Sequence, residues 1–296
     1  MFFNTFLENL PDYPSFTECW IKDENPLSAL FQKRRIFIPN ESMSILHKRL
    51  INYLRDLKFP LPFAFGARPK NSPLKNVWWH RHNRYFYLLD LRKAYSSVSC
   101  EKLTDILCSL DEELRNCEQG VYRFLDEYCF FFGKGLVTGA PASPDLFNIY
   151  AGVLVDKPLG VFCKKHNLTF TRYLDDLALS SSKIPIGKRK RQEIRTIIKD
   201  AGFGVNHHKS RVCDLKKGAI VINGVSLEMG GRTFVPRYYL RKIRGFMRKL
   251  SLEATLKKSD KQTLNGMMSA FWGITDRKRL NKTEQKLVKK YQALKS

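Results

Sequence analysis

Acidic residues are scarce in this sequence. Only 28 Asp and Glu stand against 52 Lys and Arg, which gives a formal net charge of +24 over 296 residues. That surplus exceeds what solubility requires and has the sign that binds a polyphosphate, so it indicates a nucleic-acid partner. It is also uneven, because residues 233–296 hold 17 basic and four acidic residues. Charge alone leaves two other interpretations open, a solvated helical face or attraction to anionic lipid.

Other signatures are absent as well. The seven cysteines form no CxxC pair and have no histidine at zinc-ligand spacing, so neither a zinc ribbon nor a disulfide framework is indicated. The N-terminal MFFNTFLENLPDYPSF lacks the basic region of a signal peptide, and no apolar run approaches a membrane span. We therefore expect a cytoplasmic chain with reduced thiols and no membrane contact. Its 43% hydrophobic residues are enough for one large domain or two packed subdomains.

Hydrophobic periodicity predicts a mixture of strands and helices. RRIFIP is typical of a short strand before a helix over residues 41–57, and RYFYLLDL is typical of a buried strand that ends near Asp90. Residues 101–132 predict one helix, and PASPDLFNIYAGVLVDKPLGVFCKK predicts a second, opened by Pro144. The rest of the pattern predicts, in order, a hairpin over LTFTRYLDDLALSS, a helix closed by Gly202, one short strand over AIVINGVSL and, beyond Pro236, basic amphipathic helices.

Three aspartates occupy positions suited to metal binding. Asp90 lies at a strand end, while Asp175 and Asp176 lie in the turn of the predicted hairpin. Adjacent carboxylates in an apolar strand setting repel each other unless a cation neutralises them. Phosphoryl transfer uses two divalent cations about 3.5–4 Å apart, and Mg²⁺ prefers carboxylate oxygens. A lone Asp pair is more often a solvated turn or a helix cap, so the surrounding motifs decide.

Those motifs resemble the reverse transcriptase family. Five segments follow the family's order and are similar to its motifs A to E: FYLLDLRKAYSSV, GLVTGAPASPDLFN, YLDD, GFGVNHHKS and VINGVSL. Upstream, KRRIFIP and FGARPKNS resemble finger motifs of the bacterial branch. The resemblance implies RNA-directed DNA polymerase activity and an α+β right-hand polymerase fold, with an antiparallel sheet plus helices. The implied divisions are fingers mainly over 1–85 and 100–140, palm over about 86–99 and 141–232, and a basic helical thumb over 233–296.

The resemblance also assigns roles at the metal site. Asp90 and Asp175 would bridge two Mg²⁺ ions, for which Mn²⁺ could substitute, with Asp176 as the outer ligand. The carbonyl of Leu91 would complete one coordination sphere. Lys209 matches a lysine of motif D that would donate a proton to pyrophosphate, and its alternative is an ordinary surface lysine.

Further residues would bind the incoming nucleotide. Arg34 matches the finger cation that clasps the triphosphate, although a basic neighbour on either side could do this instead. Tyr95 matches an aromatic residue that abuts the sugar 2′ position and would favour deoxynucleotides, with core packing as its alternative. Gly139 would let the backbone approach the nucleotide without a Cβ. Thr138 stands where the family usually has Gln, which leaves the grip on the base undefined.

The compact plan resembles retron-type and other defence-associated bacterial enzymes. NVWWH stands near the place of a retron signature before motif A, and ING stands near the place of VTG at motif E, both as imperfect matches. Asn76 and His80 of NVWWH are accordingly expected to bind nucleic acid, the alternative being a helix cap and a satisfied polar residue. The implied partners are a structured noncoding RNA that serves as template and primer, the DNA product, dNTPs and a separate effector protein, with oligomerisation left open.

The thumb sequence supports nucleic-acid handling. Basic residues recur at three- to four-residue spacing along one predicted helix and form a stripe that could follow a phosphate backbone: Arg237, Arg241, Arg244 and Arg248. Interleaved aromatic residues are expected mainly to pack the thumb helices.

Three alternative functions stay open at this point. The chain could make non-templated or repeat DNA with a partner, it could polymerise RNA or transfer terminal nucleotides with the same metals, or it could be a non-catalytic RNA-binding subunit. The presence of all three aspartates argues against the last.

Overall fold

The computed structural model describes residues 10, 15–22, 33–131, 134–252, 257–275 and 277–294. The side chains of Lys22, Lys33, Arg34 and Lys278 lie outside that description, as does most of the N-terminal segment that we examined for a signal peptide. The described part combines helices with antiparallel strands, as predicted.

An N-terminal hairpin and a helix form the first unit. Strands β1 (Phe16–Lys22) and β2 (Lys33–Pro39) pair antiparallel, and helix α1 (Glu41–Asp56) follows directly. Asn40 begins the helix by accepting a hydrogen bond from the Met43 backbone N–H at 3.0 Å. The strand and the helix lie where hydrophobic periodicity placed them.

The central sheet has β3 (Tyr85–Arg92) in its middle. On one side β3 pairs with β5 (Asp176–Ser181), which pairs with β4 (Thr169–Tyr173). On the other side β3 pairs with two short strands in turn, β6 (Gly204–Val205) at its C-terminal end and β7 (Arg211–Asp214) at its N-terminal half. Six consecutive residues of β3, from Phe86 to Leu91, are buried, which explains why its sequence is apolar on both faces.

Helices cover this sheet, and their boundaries differ from the prediction in one place. The predicted single helix is replaced, within the described residues 100–131, by three: α3 (Cys100–Leu110), α4 (Glu112–Asn116) and α5 (Glu118–Tyr128). The break occurs because Asp111 adopts an extended conformation, in which its side chain accepts hydrogen bonds from the backbone N–H groups of Glu113 and Leu114. A competing N-cap therefore interrupts a continuous apolar periodicity.

The second predicted helix runs through the core. It consists of α6 (Ser143–Ala151), one π-helical turn (Gly152–Asp156) and α7 (Lys157–Lys165). Contrary to our expectation, this stretch, Ser143–Lys165, is long and apolar enough to cross a membrane. However, 67% of its apolar stretch is buried inside the protein. It is therefore a core helix that has the length and hydropathy of a membrane span. Helix α8 (Lys188–Asp200) follows the sheet hairpin, as predicted.

The segment AIVINGVSL is wrongly predicted as one strand. It forms a hairpin of β8 (Ile220–Ile222) and β9 (Val225–Leu227), and β10 (Thr233–Phe234) pairs with β9. The two residues between the strands, Asn223 and Gly224, have φ values of 48° and 78°. Positive φ at both positions is what a type I′ turn requires, so the Asn-Gly pair reverses the chain. Helix α2 (Pro73–Trp78) packs against this hairpin.

Three helices with their own hydrophobic cluster end the chain: α9 (Arg237–Leu250), α10 (Lys258–Ile274) and α11 (Lys282–Ala293). Phe271 is fully buried in that cluster, with Tyr239, Phe246 and Trp272 packed against it, so most of the interleaved aromatic residues pack as expected. Tyr238 is exposed. All seven cysteines lie within the described residues and are free thiols, which agrees with the expected absence of disulfides.

Candidate active site

The pairing of β3 with β5 brings the three aspartates together. Asp90 lies directly opposite Asp176 in the antiparallel register, and Asp175 lies in the two-residue turn before β5. The Leu91 backbone N–H donates a hydrogen bond to the Asp175 carbonyl at 2.9 Å, which ties the turn to β3. Neighbouring strands are about 5 Å apart. The register and this spacing together put the three aspartates at one end of the sheet.

A buried arginine that our sequence analysis missed holds this turn. The Arg172 guanidinium is fully buried and makes a bidentate ion pair with Asp156 at 2.7 and 2.8 Å. Its Nη1 also donates to the Asn148 side chain at 2.9 Å and to the Leu174 carbonyl at 3.1 Å. Leu174 has a φ of 54°, a left-handed conformation that costs energy for a leucine. Arg172 therefore helps to fix the strained residue that precedes Asp175.

Lys209 lies at the opposite edge of β3. Since β6 and β7 both pair with β3, the residues between them, 206–210, project beside Asp90. The Asn206 N–H donates to the Asp90 carbonyl at 2.8 Å, and Lys209 Nζ donates to Asp90 Oδ1 at 2.8 Å. The structure thus brings Lys209, a predicted site residue, into contact with a predicted metal ligand.

Two asparagines support Asp176. Asn223, at the β8–β9 turn, donates from Nδ2 to Asp176 Oδ2 at 2.8 Å, and Asn76 in α2 donates from Nδ2 to Asn223 Oδ1 at 2.6 Å. Sequence analysis singled out Asn76 but not Asn223. The Asn-Gly dipeptide is a signal for a hairpin turn, and it could have shown that Asn223 lies in a turn between two strands.

The charges of the site perturb Asp176. Asp176 is exposed, yet protein atoms displace much of the water around its carboxylate. This desolvation, followed by repulsion from Asp175 and Asp90, raises the pKa of Asp176 to about 7, while Lys209 and the hydrogen bond from Asn223 oppose the shift. A carboxylate in that environment is poised to accept a cation.

The donor set fits a divalent cation, but the side chains are not arranged around one. Among the described residues, no three Asp, Glu, His or Cys side chains converge as they would around a bound ion. Asp90 pairs with Lys209, and Asp176 pairs with Asn223. Hard carboxylate oxygens at one sheet end match the chemistry of Mg²⁺ or Mn²⁺. A cation bound by Asp90 would therefore have to compete with the Lys209 ammonium.

The structure locates some of the predicted nucleotide-binding residues relative to the three aspartates, but not all of them. Tyr95, in a short 3₁₀ turn (Tyr95–Ser97), contacts Phe147 edge-on at 5.4 Å between ring centroids. Burial and then the nearby Asp175 raise the pKa of Tyr95. Arg34 belongs to strand β2, but the structure does not describe the position of its side chain.

Gly139 contacts the β1–β2 hairpin. Its φ is 109°, and a Cβ there would lie 2.6 Å from the Phe37 carbonyl oxygen. The Thr138 carbonyl accepts a hydrogen bond from the Phe37 N–H at 2.8 Å. Close approach to β2 thus explains the glycine in this structure, while an approach to nucleotide stays a prediction.

His80 and Asn76 lie inside the protein, which contradicts the direct nucleic-acid contact expected of them. His80 is fully buried, with its Nδ1 2.6 Å from the Ser180 hydroxyl and its Nε2 2.7 Å from the Thr171 hydroxyl. Only 1% of Asn76 is exposed. His80 therefore bridges β4 and β5, which makes it the satisfied polar residue that we considered as the alternative.

The four arginines of the predicted basic stripe lie at the surface. The outer face of α9 carries the predicted stripe, and all four of its members are exposed: Arg237, Arg241, Arg244 and Arg248. The opposite face of α9 is buried in the hydrophobic cluster that α9 shares with α10 and α11. The helix thus presents the stripe to solvent, where a phosphate backbone could reach it.

Comparison with known proteins identifies the class. A family model described as reverse transcriptase (RNA-dependent DNA polymerase) matches residues 21–229, which is most of the chain. The chain therefore belongs to the reverse transcriptase family of RNA-dependent DNA polymerases.

Curated relatives narrow the resemblance to the retron branch. The chain is 26% identical to the Retron Ec73 reverse transcriptase of Escherichia coli, over 80% of this chain and 77% of that protein. It is 23% identical to the Retron Ec83 reverse transcriptase of Escherichia coli, over 87% and 86% respectively. It is 27% identical to the Retron Mx65 reverse transcriptase of Myxococcus xanthus, over 66% and 48%. The predicted resemblance to bacterial retron-type enzymes is confirmed.

Solved structures confirm the fold. A telomerase from Candida albicans, in complex with a fragment of telomeric RNA, superposes with a TM-score of 0.55 at 10% identity, over 99% of this chain and 58% of that one. A truncated telomerase from Candida tropicalis gives 0.51 at 12% identity, over 76% and 56%. This chain thus spans little more than half the length of these structures. The shared architecture is the right-hand polymerase fold that we predicted.

Proposed function

We propose that this chain copies a cognate noncoding RNA into DNA by nucleotidyl transfer at Asp90, Asp175 and Asp176. The register of β3 and β5 carries the proposal, because it sets Asp90 opposite Asp176 and leaves Asp175 in the turn beside them. Family membership supports the class of reaction. The cofactor is proposed to be two Mg²⁺ ions, with Mn²⁺ as a substitute, since the donors are hard oxygens.

Residues around the aspartates would assist the reaction. When bound, the divalent cations would lower the pKa of the primer hydroxyl and stabilise charge on the transferring phosphoryl group. The Lys209 ammonium, 2.8 Å from Asp90, adds positive charge where the triphosphate would lie and can supply a proton to the leaving pyrophosphate. Tyr95 is proposed to exclude a 2′-hydroxyl, and Arg34, Thr138 and Gly139 are proposed to line the nucleotide site.

Replacing the paired aspartates tests the assignment. The double variant Asp175→Asn and Asp176→Asn should abolish incorporation of dNTPs on an RNA template with Mg²⁺, because the neutral amides bind the cation far more weakly. RNA binding should persist, since the thumb stripe is untouched. Asp200→Asn, at an exposed position at the end of α8, is the matched control and should incorporate normally. Undiminished synthesis by the double variant would exclude this site.

The biological setting is proposed from the retron resemblance. We infer a role in bacterial antiphage defence, in the cytoplasm, together with a structured RNA and a separate effector protein. Sequencing the nucleic acid that copurifies with the chain tests the RNA directly. A branched RNA–DNA molecule would support the retron-type function, whereas a simple DNA repeat would indicate non-templated synthesis and overturn it.

A further inference from the structure

Two large aromatic side chains are exposed at the C-terminal end of helix α2. Trp78 is 48% exposed and Trp79 is 63% exposed, whereas Asn76 and Val77 just before them are buried. Exposing two adjacent tryptophans forfeits apolar burial, since an aromatic of this size contributes strongly when it leaves water. Their exposure therefore suggests a ligand, because single scattered apolar residues are ordinary but clusters are not.

Trp78 lines two clefts. A cleft of about 620 Å³ is lined by Trp78 and Trp79 together with apolar residues that include Leu61 and Phe65. A second cleft of about 320 Å³ is lined by Trp78 and by thumb residues that include Trp272 and Arg279. Trp78 and Arg81 line both, so the two clefts adjoin along one surface that leads from the palm toward the thumb.

The surface around these tryptophans is positive. Residues 57–89 contain six Lys and Arg and no Asp or Glu. Lys75, Arg81 and Arg279 are exposed where the clefts open. None of the described residues that line the two clefts is acidic. An apolar protein partner would not require this charge, whereas a phosphate backbone would.

Trp79 is held in place before any ligand binds. The Phe65 ring meets it edge-on, with 6.1 Å between centroids and 68° between planes. A braced, exposed indole offers a flat face at little cost in side-chain entropy, which suits stacking with a nucleobase. Only an unpaired base has a free face for such stacking.

We infer that Trp78, Trp79 and the cations around them form a binding surface for an unpaired nucleotide strand, which stacks bases on the indoles and sets phosphates against Lys75 and Arg81. The inference rests on the proposed function, because an enzyme that copies RNA must hold single-stranded template. Helix α2 also carries Asn76, which reaches Asp176 through Asn223, so one helix contributes both to this surface and to the hydrogen bonds at Asp176.

Equilibrium binding without nucleotides tests the surface. The probe is a 12-residue uridine oligonucleotide, with the matching thymidine oligonucleotide as a second arm, and the readout is fluorescence anisotropy at fixed salt. Trp78→Leu and Trp79→Leu should each weaken binding about fivefold or more, since stacking contributes about 1–3 kcal/mol per base. Trp78→Phe and Trp79→Phe keep a ring and should retain most of the affinity. Preference for uridine would assign the surface to the template, and preference for thymidine to the product strand.

Controls separate this inference from the catalytic one. Trp20→Leu removes an indole that is 59% exposed on β1 and should leave binding unchanged. The Asp175→Asn and Asp176→Asn double variant should bind the oligonucleotides normally while losing synthesis, so failure of the proposed chemistry would not imitate failure of the surface. Circular dichroism checks that the leucine variants fold. Folded leucine variants that bind like the native chain would overturn the inference. It would also be overturned if Lys75→Gln and Arg81→Gln weakened binding while the leucine variants did not, because charge alone would then hold the strand.

Discussion

Asn223 donates a hydrogen bond to Asp176 across 2.8 Å, and so links the turn of the β8–β9 hairpin to the first residue after the turn of the β4–β5 hairpin. The residues are 47 positions apart in the chain, and only the packing of the β8–β9 hairpin beside the central sheet joins them. Asn76, a further 147 positions from Asn223, holds the other end of the same amide. The amide of asparagine can donate one hydrogen bond and accept another at the same time. Asn223 therefore bonds to Asp176 and to Asn76 together.

We predict that Asn223→Gly raises the Mg²⁺ concentration needed for half-maximal synthesis about tenfold, because residues that orient a metal ligand typically contribute 10–100-fold. Glycine tolerates the positive φ at this position, so the turn itself should survive. Asn223→Asp keeps the shape but replaces the donor with a carboxylate that repels Asp176, and should cost more. Magnesium titrations of primer extension, together with calorimetric Mg²⁺ binding, measure both effects.

Two comparisons guard that result. Asn116→Ala, at an exposed position at the end of α4, should leave the Mg²⁺ requirement unchanged. Asn76→Ala should produce a smaller increase than Asn223→Gly and add little when the two are combined, since both act through one hydrogen-bond chain. Full additivity would show that Asn76 does not act through Asn223.

Local patterns predicted much of this fold and site. The strand around Asp90, the hairpin that carries Asp175 and the stripe on α9 all follow from periodicity and turn chemistry within a few residues. The errors also have local causes. Asp111 interrupts a continuous helical pattern by capping, and Asn223 with Gly224 divides an apolar run into two strands.

Long-range contacts account for what the sequence could not reveal. Arg172 follows a strand pattern like any other residue, and only the fold shows that Asp156 and Asn148 surround its guanidinium. His80 looked available for RNA because its partners, Ser180 and Thr171, are about 90 to 100 residues away. Pairings at that separation have no local signal, since they depend on how elements pack.

Tyr95 should select against ribonucleotides. We predict that Tyr95→Ala increases incorporation of rNTPs relative to dNTPs, because the ring beside Phe147 and near Asp175 would no longer exclude a 2′-hydroxyl. Tyr95→Phe retains the ring and should retain discrimination. Single-nucleotide incorporation with competing rNTP and dNTP measures the ratio. An unchanged ratio in Tyr95→Ala would assign the ring to core packing alone.

Gly139→Ala should destabilise the protein where Gly139 meets β2. A Cβ would lie 2.6 Å from the Phe37 carbonyl oxygen, and the φ of 109° is unfavourable for alanine. We expect a loss of at least about 1–3 kcal/mol in the free energy of unfolding, the usual cost of such backbone strain. Gly245→Ala, within α9 and with open space around its Cβ, should instead stabilise by up to about 1 kcal/mol. Urea denaturation compares the pair, and equal effects of the two substitutions would refute the steric explanation.

Acid should weaken the fold through His80. Burial lowers its pKa to about 3, whereas the unfolded chain has a histidine pKa of about 6.5. Between those values the unfolded state binds the extra proton, so stability falls as the pH drops from 7 to 5, by about 2 kcal/mol for this residue. His80→Gln can still bond both hydroxyls but does not titrate, and should flatten the dependence by that amount. His208→Gln, at an exposed position, should leave it unchanged, and denaturation midpoints across this pH range measure all three proteins.

The exposed stripe on α9 should determine how strongly salt weakens binding. Each arginine that contacts a phosphate releases condensed counterions, so its loss reduces the slope of log affinity against log salt by about 0.7–0.9. Arg241→Gln and Arg244→Gln together should therefore lower the slope for an RNA–DNA hybrid by nearly two, with little change in sequence preference, since phosphate contacts carry none. Lys102→Gln removes an exposed charge on α3 and should not alter the slope. A slope that falls as much per lost charge in Lys102→Gln as in the double variant would mean that net charge, rather than the stripe, attracts the nucleic acid.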